Sequence, residues 1–157
     1  RIYTSVIQPD ELKKALSQAD LAIGALNASK GRTPCVVTEE MVSDMKYGSV
    51  IIDISIDQGG CFETSKPTTH AEPIYVVDNV IHYCVANMPG ALPLTSTYAL
   101  SNATLPYALA LANKGWKKAL SDNSGLAKGL NVHNGQITYK AVAQAHGMAS
   151  VEMDFSL

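Results

Sequence analysis

A chain of 157 residues with 46% apolar and 17% charged side chains has the material for one folded domain, which excludes a disordered segment. A net charge of −2 without any lysine or arginine run argues against a nucleic-acid surface, and no apolar stretch reaches the roughly 20 residues of a membrane-spanning helix. Three cysteines without C-x-x-C spacing argue against a disulfide framework or a metal site and point to a reducing, cytoplasmic compartment.

The chain opens at Arg1 with neither an initiator Met nor a signal-like segment, so the expectation is a part of something longer. Gln8-Pro9-Asp10-Glu11 starts a helix, with Pro at its first position and acids at its positive end. Leu12, Ala15, Leu16 and Ala19 then repeat at the spacing of one buried face. Leu21 to Leu26 reads as a buried strand, and Asn27 to Pro34 as a polar loop at its carboxyl end. Thr38 is a good N-cap for a second helix, with Val37 and Val42 as a hydrophobic staple and Gly48 as terminator. Ser49 to Ile56 is the next strand, so residues 1–56 alternate helix and strand as a doubly wound sheet does.

After a loop from Cys61 to Pro73, two apolar runs flank Asp78-Asn79 and predict a hairpin with a tight turn. The second run ends at Ala86-Asn87-Met88-Pro89-Gly90. Thr95-Ser96-Thr97 is expected to cap a long helix reaching about Asn113, with a kink or restart at Pro106. Gly115-Trp116 begins a shorter amphipathic piece, Asn134-Gly135 marks a second hairpin, and Lys140 to His146 forms a last helix.

The segment Val50-Ile51-Ile52-Asp53-Ile54-Ser55-Ile56-Asp57-Gln58-Gly59-Gly60 carries the strongest functional signal. An apolar strand runs into a carboxylate, an amide and two glycines, at the strand end where open α/β sheets bind ligands. Asp57 is the leading candidate for chemistry; a turn-capping role beside Gly59-Gly60 is the structural alternative. Three such strand ends, near Leu26, Ile56 and Val85, are expected to point one way. A dinucleotide-binding sheet also needs a G-x-G-x-x-G turn after its first strand. None is found here, so residues 1–88 read as the second half of such a domain.

Long motifs then carry a resemblance. Lys46-Tyr47-Gly48-Ser49-Val50-Ile51-Ile52-Asp53, Ile56-Asp57-Gln58-Gly59-Gly60-Cys61, Lys66-Pro67-Thr68-Thr69, His82 through Pro89, and Asn102-Ala103-Thr104-Leu105-Pro106-Tyr107 closely resemble the C-terminal part of the alanine dehydrogenase family. The resemblance continues through Ala112 to Trp116 and Leu130-Asn131-Val132, covering nearly the whole chain. It implies an α/β fold: the C-terminal half of a Rossmann-type doubly wound parallel sheet (1–88), then a mostly helical segment (89–157) returning to the catalytic domain. It implies NAD as cofactor and reversible oxidative deamination of L-alanine to pyruvate and ammonia. It further implies partnership with the N-terminal part of the same enzyme and assembly as a hexamer, to which the long helix contributes.

By the same resemblance Asp57 matches the active-site aspartate beside the nicotinamide. Leu26, Asn27, Ile54, Ser55, Ile56, Asp57, Lys66, Val85, Ala86, Asn87 and Met88 match cofactor-contacting positions. The family's substrate-binding Arg and Lys and its catalytic His fall outside this chain, and none of His70, His82, His133 or His146 replaces them. His82 alternates within an apolar strand and reads as a packing residue. Two other readings stand beside this one: the NAD(H)-binding subunit of proton-translocating transhydrogenase, and a non-catalytic assembly fragment that is inert alone.

Overall fold

A computed structural model describes residues 2, 4–27 and 32–153. The chain forms two compact units, Arg1–Ala91 and Leu92–Leu157. In the first, α1 (Pro9–Gln18), β1 (Leu21–Gly24), α2 (Glu39–Ser43) and β2 (Val50–Asp53) alternate, followed by β3 (Ile74–Val77) and β4 (Val80–Tyr83). The strands lie in the order β1-β2-β4-β3. β1, β2 and β4 run parallel, and β3 returns antiparallel along β4.

Local chemistry explains most of these elements. Pro9 opens α1, whose first turn carries Asp10 and Glu11. Thr38 Oγ1 accepts from the Met41 N–H and caps α2. Asp78 and Asn79 both adopt positive φ, which gives the two-residue turn between β3 and β4 its type I′ form.

The register divides the sheet sharply into two faces. Ala22, Ile51, Val80 and His82 point to one side and are buried. Leu16 from α1 and Val42 and Met45 from α2 pack there, closing a core with Val37, Cys61 and Phe62. Leu21, Ile23, Ile74 and Val76 point to the other side and are exposed, while Val50, Ile52, Ile81 and Tyr83 on that side are half-buried. Leu21 to Leu26 therefore does not form the wholly buried strand expected. β1 ends at Gly24, and only alternate residues are covered, because both helices lie on one face.

The strand expected from Ser49 to Ile56 is also shorter. It ends at Asp53, and Ile54–Gln58 forms a 3-10 turn because the Asp53 side chain accepts from the Ser55 N–H and caps it.

The second unit holds α3 (Pro93–Asp122), α4 (Ser124–Ala127), the short hairpin β5 (Val132–His133) and β6 (Gln136–Ile137), and α5 (Lys140–Ala145). α3 begins at Pro93, ahead of the expected Thr95–Thr97 cap. Its helical path breaks at Gly115 (φ 73°, ψ 161°) rather than at Pro106. Proline keeps a helical φ and removes one hydrogen bond, whereas Gly115 occupies a region open to glycine and hostile to side chains.

Candidate functional site at the strand termini

The carboxyl ends of β1, β2 and β4 lie side by side, and hydrogen bonds tie them into one edge. Ser55 Oγ, just past β2, donates to the Leu26 carbonyl past β1 (2.6 Å). Past β4, the Cys84 thiol donates to Ser65 Oγ (3.8 Å), which in turn donates to Asp53 Oδ2 (2.7 Å). Asp53, the last residue of β2, is the centre of this arrangement and is fully buried. Its Oδ1 accepts from the Ser55 N–H (3.0 Å) and the Cys61 thiol (3.6 Å), and its Oδ2 also accepts from the Cys61 N–H (2.9 Å). Four donors on two oxygens suit a group that only accepts. Burial, then the neighbouring Asp53, pushes the Cys61 thiol up to about 12, so it stays protonated as a donor.

The glycines make this packing possible. Gly59 and Gly60 both have positive φ. A Cβ at Gly60 would lie 2.8 Å from Asp53 Oδ2, and one at Gly24 would overlap the Cys61 sulfur and the Phe62 ring.

On this frame the sequence-predicted residues separate into two kinds. Asp57 and Asn27 are exposed, as are Ile54, Lys66, Ala86 and Asn87. Ser55, Ile56 and Val85 are buried, and Leu26 and Met88 are intermediate. The Asp57 side chain has no hydrogen bond or ion pair with the described residues, so it is not the turn cap: Asp53 holds that role. Leu26, Ile54 to Asp57 and Val85 to Met88 follow three adjacent parallel strands at the same end. Lys66 joins them less directly, through its N–H to the Tyr75 hydroxyl (2.7 Å), which donates to the Thr64 carbonyl (2.8 Å). Burial raises the Tyr75 phenol well above its usual range. Asn87 takes positive φ, and its carbonyl accepts from His70 Nε2 (3.0 Å). Within the expected loop from Asn27 to Pro34, residues 28–31 lie outside the described residues.

His82 is fully buried and has both ring nitrogens engaged. Nδ1 donates to the Val80 carbonyl (3.0 Å), which leaves Nε2 to accept from Thr64 Oγ1 (2.8 Å). Burial lowers its pKa, and Tyr75 stacks on the ring at 4.9 Å. Behind the Asp57 loop lies a cleft of about 440 Å³ lined by Arg32, Thr33, Glu63 and Ser65 among others. Arg32 packs over Gly59, and the Thr33 N–H donates to the Gln58 carbonyl (2.8 Å), so this segment braces the loop from outside. Among the described residues no three His, Cys, Asp or Glu side chains gather as a metal site would require.

Sequence reasoning missed Asp53 and Ser65. The available signal was a carboxylate ending the apolar run Val50-Ile51-Ile52, followed by the small residues Ser55, Gly59 and Gly60 that let backbone N–H groups turn back on it.

Exposed Ile54 and Asp57 thus stand at three adjacent parallel strand ends, the place where open α/β sheets bind ligands. Comparison with known proteins shows the family to which these strand ends belong. Residues 1–140 match the family model described as "Alanine dehydrogenase/PNT, C-terminal domain". A curated alanine dehydrogenase from Halomonas elongata is 59% identical over 152 residues, covering 97% of this chain and 41% of that protein. A solved L-alanine dehydrogenase superposes with a TM-score of 0.76 at 48% identity, over 90% of this chain and 39% of its own. A transhydrogenase structure from Sinorhizobium meliloti is more distant, with TM-score 0.51 and 25% identity over 58% of this chain and 25% of its own. The chain thus spans about two-fifths of the length of the alanine dehydrogenases it matches.

Proposed function

The chain belongs to the alanine dehydrogenase/PNT C-terminal domain family, and from that premise we propose that it is the cofactor-binding C-terminal part of a longer, NAD-dependent alanine dehydrogenase. The reaction is the reversible oxidative deamination of L-alanine to pyruvate and ammonia. Residues 1–88 complete the NAD domain, and 89–157 return to the catalytic domain and its hexameric contacts. The substrate-binding groups come from the part that precedes this segment. The cytoplasm is its place of work.

The observation that carries this reading is Asp57: an exposed carboxylate, unpaired among the described residues, on the middle of three parallel strand ends. Bound NAD would supply the acceptor for the hydride of the substrate Cα. The chain's own residues line its site and handle a proton. Ile54 offers an exposed apolar surface beside the carboxylate for one ring face, and the backbone after β1 and β4 lines the flanks. Asp57 orders water and ammonia and shares in moving the amine proton. The open edge of β1, paired only to β2 among the described residues, suits the sheet's missing half. So does the apolar groove along it, lined by Ile7, Leu12, Ile23 and Val36. Transhydrogenase is the second reading, and the higher identity and wider coverage of the alanine dehydrogenases stand against it.

Asp57→Asn in the complete enzyme tests the assignment. Turnover is expected to fall by about 10²-fold or more, the usual weight of a general acid–base group, while NAD still binds. Near-normal turnover removes Asp57 from the mechanism. The 157 residues alone, mixed with alanine and NAD, are expected to give no rise in NADH absorbance; a measurable rise would overturn the partial-enzyme reading.

A further inference from the structure

We infer that Asp53 is a positioning residue for the reaction, acting through the loop that carries Asp57. The inference rests on the reading of Asp57 given above. Asp53 lies four positions before Asp57 and is fully buried. It grips both ends of the intervening loop: the Ser55 N–H at the start and the Cys61 N–H at the close. Ser65 Oγ, the third strong donor, carries the connection to Cys84 after β4, and Ser55 Oγ carries it to Leu26 after β1. One carboxylate therefore sets the mutual placement of all three loops proposed to meet the cofactor. Among the described residues Asp57 itself is held by nothing but the backbone of this loop.

Burying a carboxylate on neutral donors alone costs stability that an apolar residue in the same space would not. What Asp53 supplies in exchange is geometry. Its two oxygens each receive a fixed backbone N–H, a demand no isosteric amide can meet. Asparagine has one oxygen and one NH₂, so in either orientation an N–H of Ser55 or Cys61 confronts another donor. The loop must then shift, and a displacement of about 1 Å at a reacting group is enough to cost on the order of 10²-fold in rate.

The test is a double-mutant cycle in the complete enzyme with Asp53→Asn, Asp57→Asn and the pair, reading kcat, the KM for alanine and NADH affinity by fluorescence. Asp53→Asn is expected to lower kcat by about 10- to 100-fold with a small change in either affinity, and to add nothing once Asp57 is already Asn. Losses that multiply in the double variant, or an unchanged kcat per folded enzyme accompanied only by a lower melting temperature, would overturn the inference. If Asp53→Asn does not fold, Ser65→Ala replaces it in the cycle: it removes one donor from Oδ2 and leaves both backbone bonds. A severalfold, non-multiplying loss in kcat is expected, and wild-type turnover would overturn the inference. If instead Asp57→Asn alone leaves turnover intact, the reading of Asp57 fails and the inference falls with it, whereas multiplying losses beside an impaired Asp57→Asn overturn the inference alone.

Discussion

The two units handle their apolar residues in opposite ways. In the first, Val42, Ile51 and Val80 are sealed from solvent, and a buried carboxylate and imidazole have all their hydrogen bonds met. In the second, only Ala119, Leu120 and Ala143 among the described residues belong to the buried apolar set, while Leu94, Tyr98, Leu100, Leu105 and Leu109 line α3 in the open. A helix apolar on more than one side is shaped for burial among other elements. The contrast teaches that the first unit closes one face of its sheet by itself, whereas the long helix is built for neighbours.

Truncating the core gives the sharpest test of that contrast. Ile51→Ala in the first unit is expected to cost about 2–5 kcal/mol, read as a lower urea midpoint. A loss below about 1 kcal/mol would mean that the core is loosely packed. Leu100→Ala on α3 provides the opposite pole: in the 157-residue chain its effect is expected within about 0.5 kcal/mol, as for an exposed site. In the complete enzyme the same change should shift the sedimentation profile toward smaller species. Unaltered assembly there would break the claim that the helix is made for neighbours.

Between these poles lies a pH effect confined to the first unit. His82 is held below its ordinary pKa by burial. The unfolded imidazole titrates near about 6.5, so below that pH the unfolded chain binds the extra proton first. The stability His82 allows is complete above that value and declines as pH falls through it. Melting temperature should therefore drop more steeply in the wild type than in His82→Gln as pH goes from 7 to 5.5. Parallel curves would show that the ring is protonated without penalty.

What was legible beforehand follows from the range of the forces involved. Thr38 and Met41, or Asn134 and Gly135, settle their local geometry with near neighbours, and both were readable from composition and spacing. The end of β2 was not. Asp53 stops the strand through partners as distant as Ser65, which only the folded loop brings back. The open side of the sheet was equally hidden, because Leu21 and Ile23 look as apolar as Ala22 and Ile51. Only the register of the folded sheet shows that they fall on the exposed face. The place of Asp57 past a parallel strand was legible as a topological signal, while its exposure needed coordinates.

The turn at Asp78-Asn79 has a kinetic meaning as well. Val77 and Val80 stand only three positions apart and close with one tight bend, on the microsecond scale of hairpin formation. The pairing of Ile51 with His82 must wait for a long loop to find its ends. The hairpin is thus the natural seed, offering β4 as the template on which β2 and then β1 assemble, from one edge of the sheet to the other. Slowing its closure, as Asn79→Val would, should delay the whole sheet more than any change in α1.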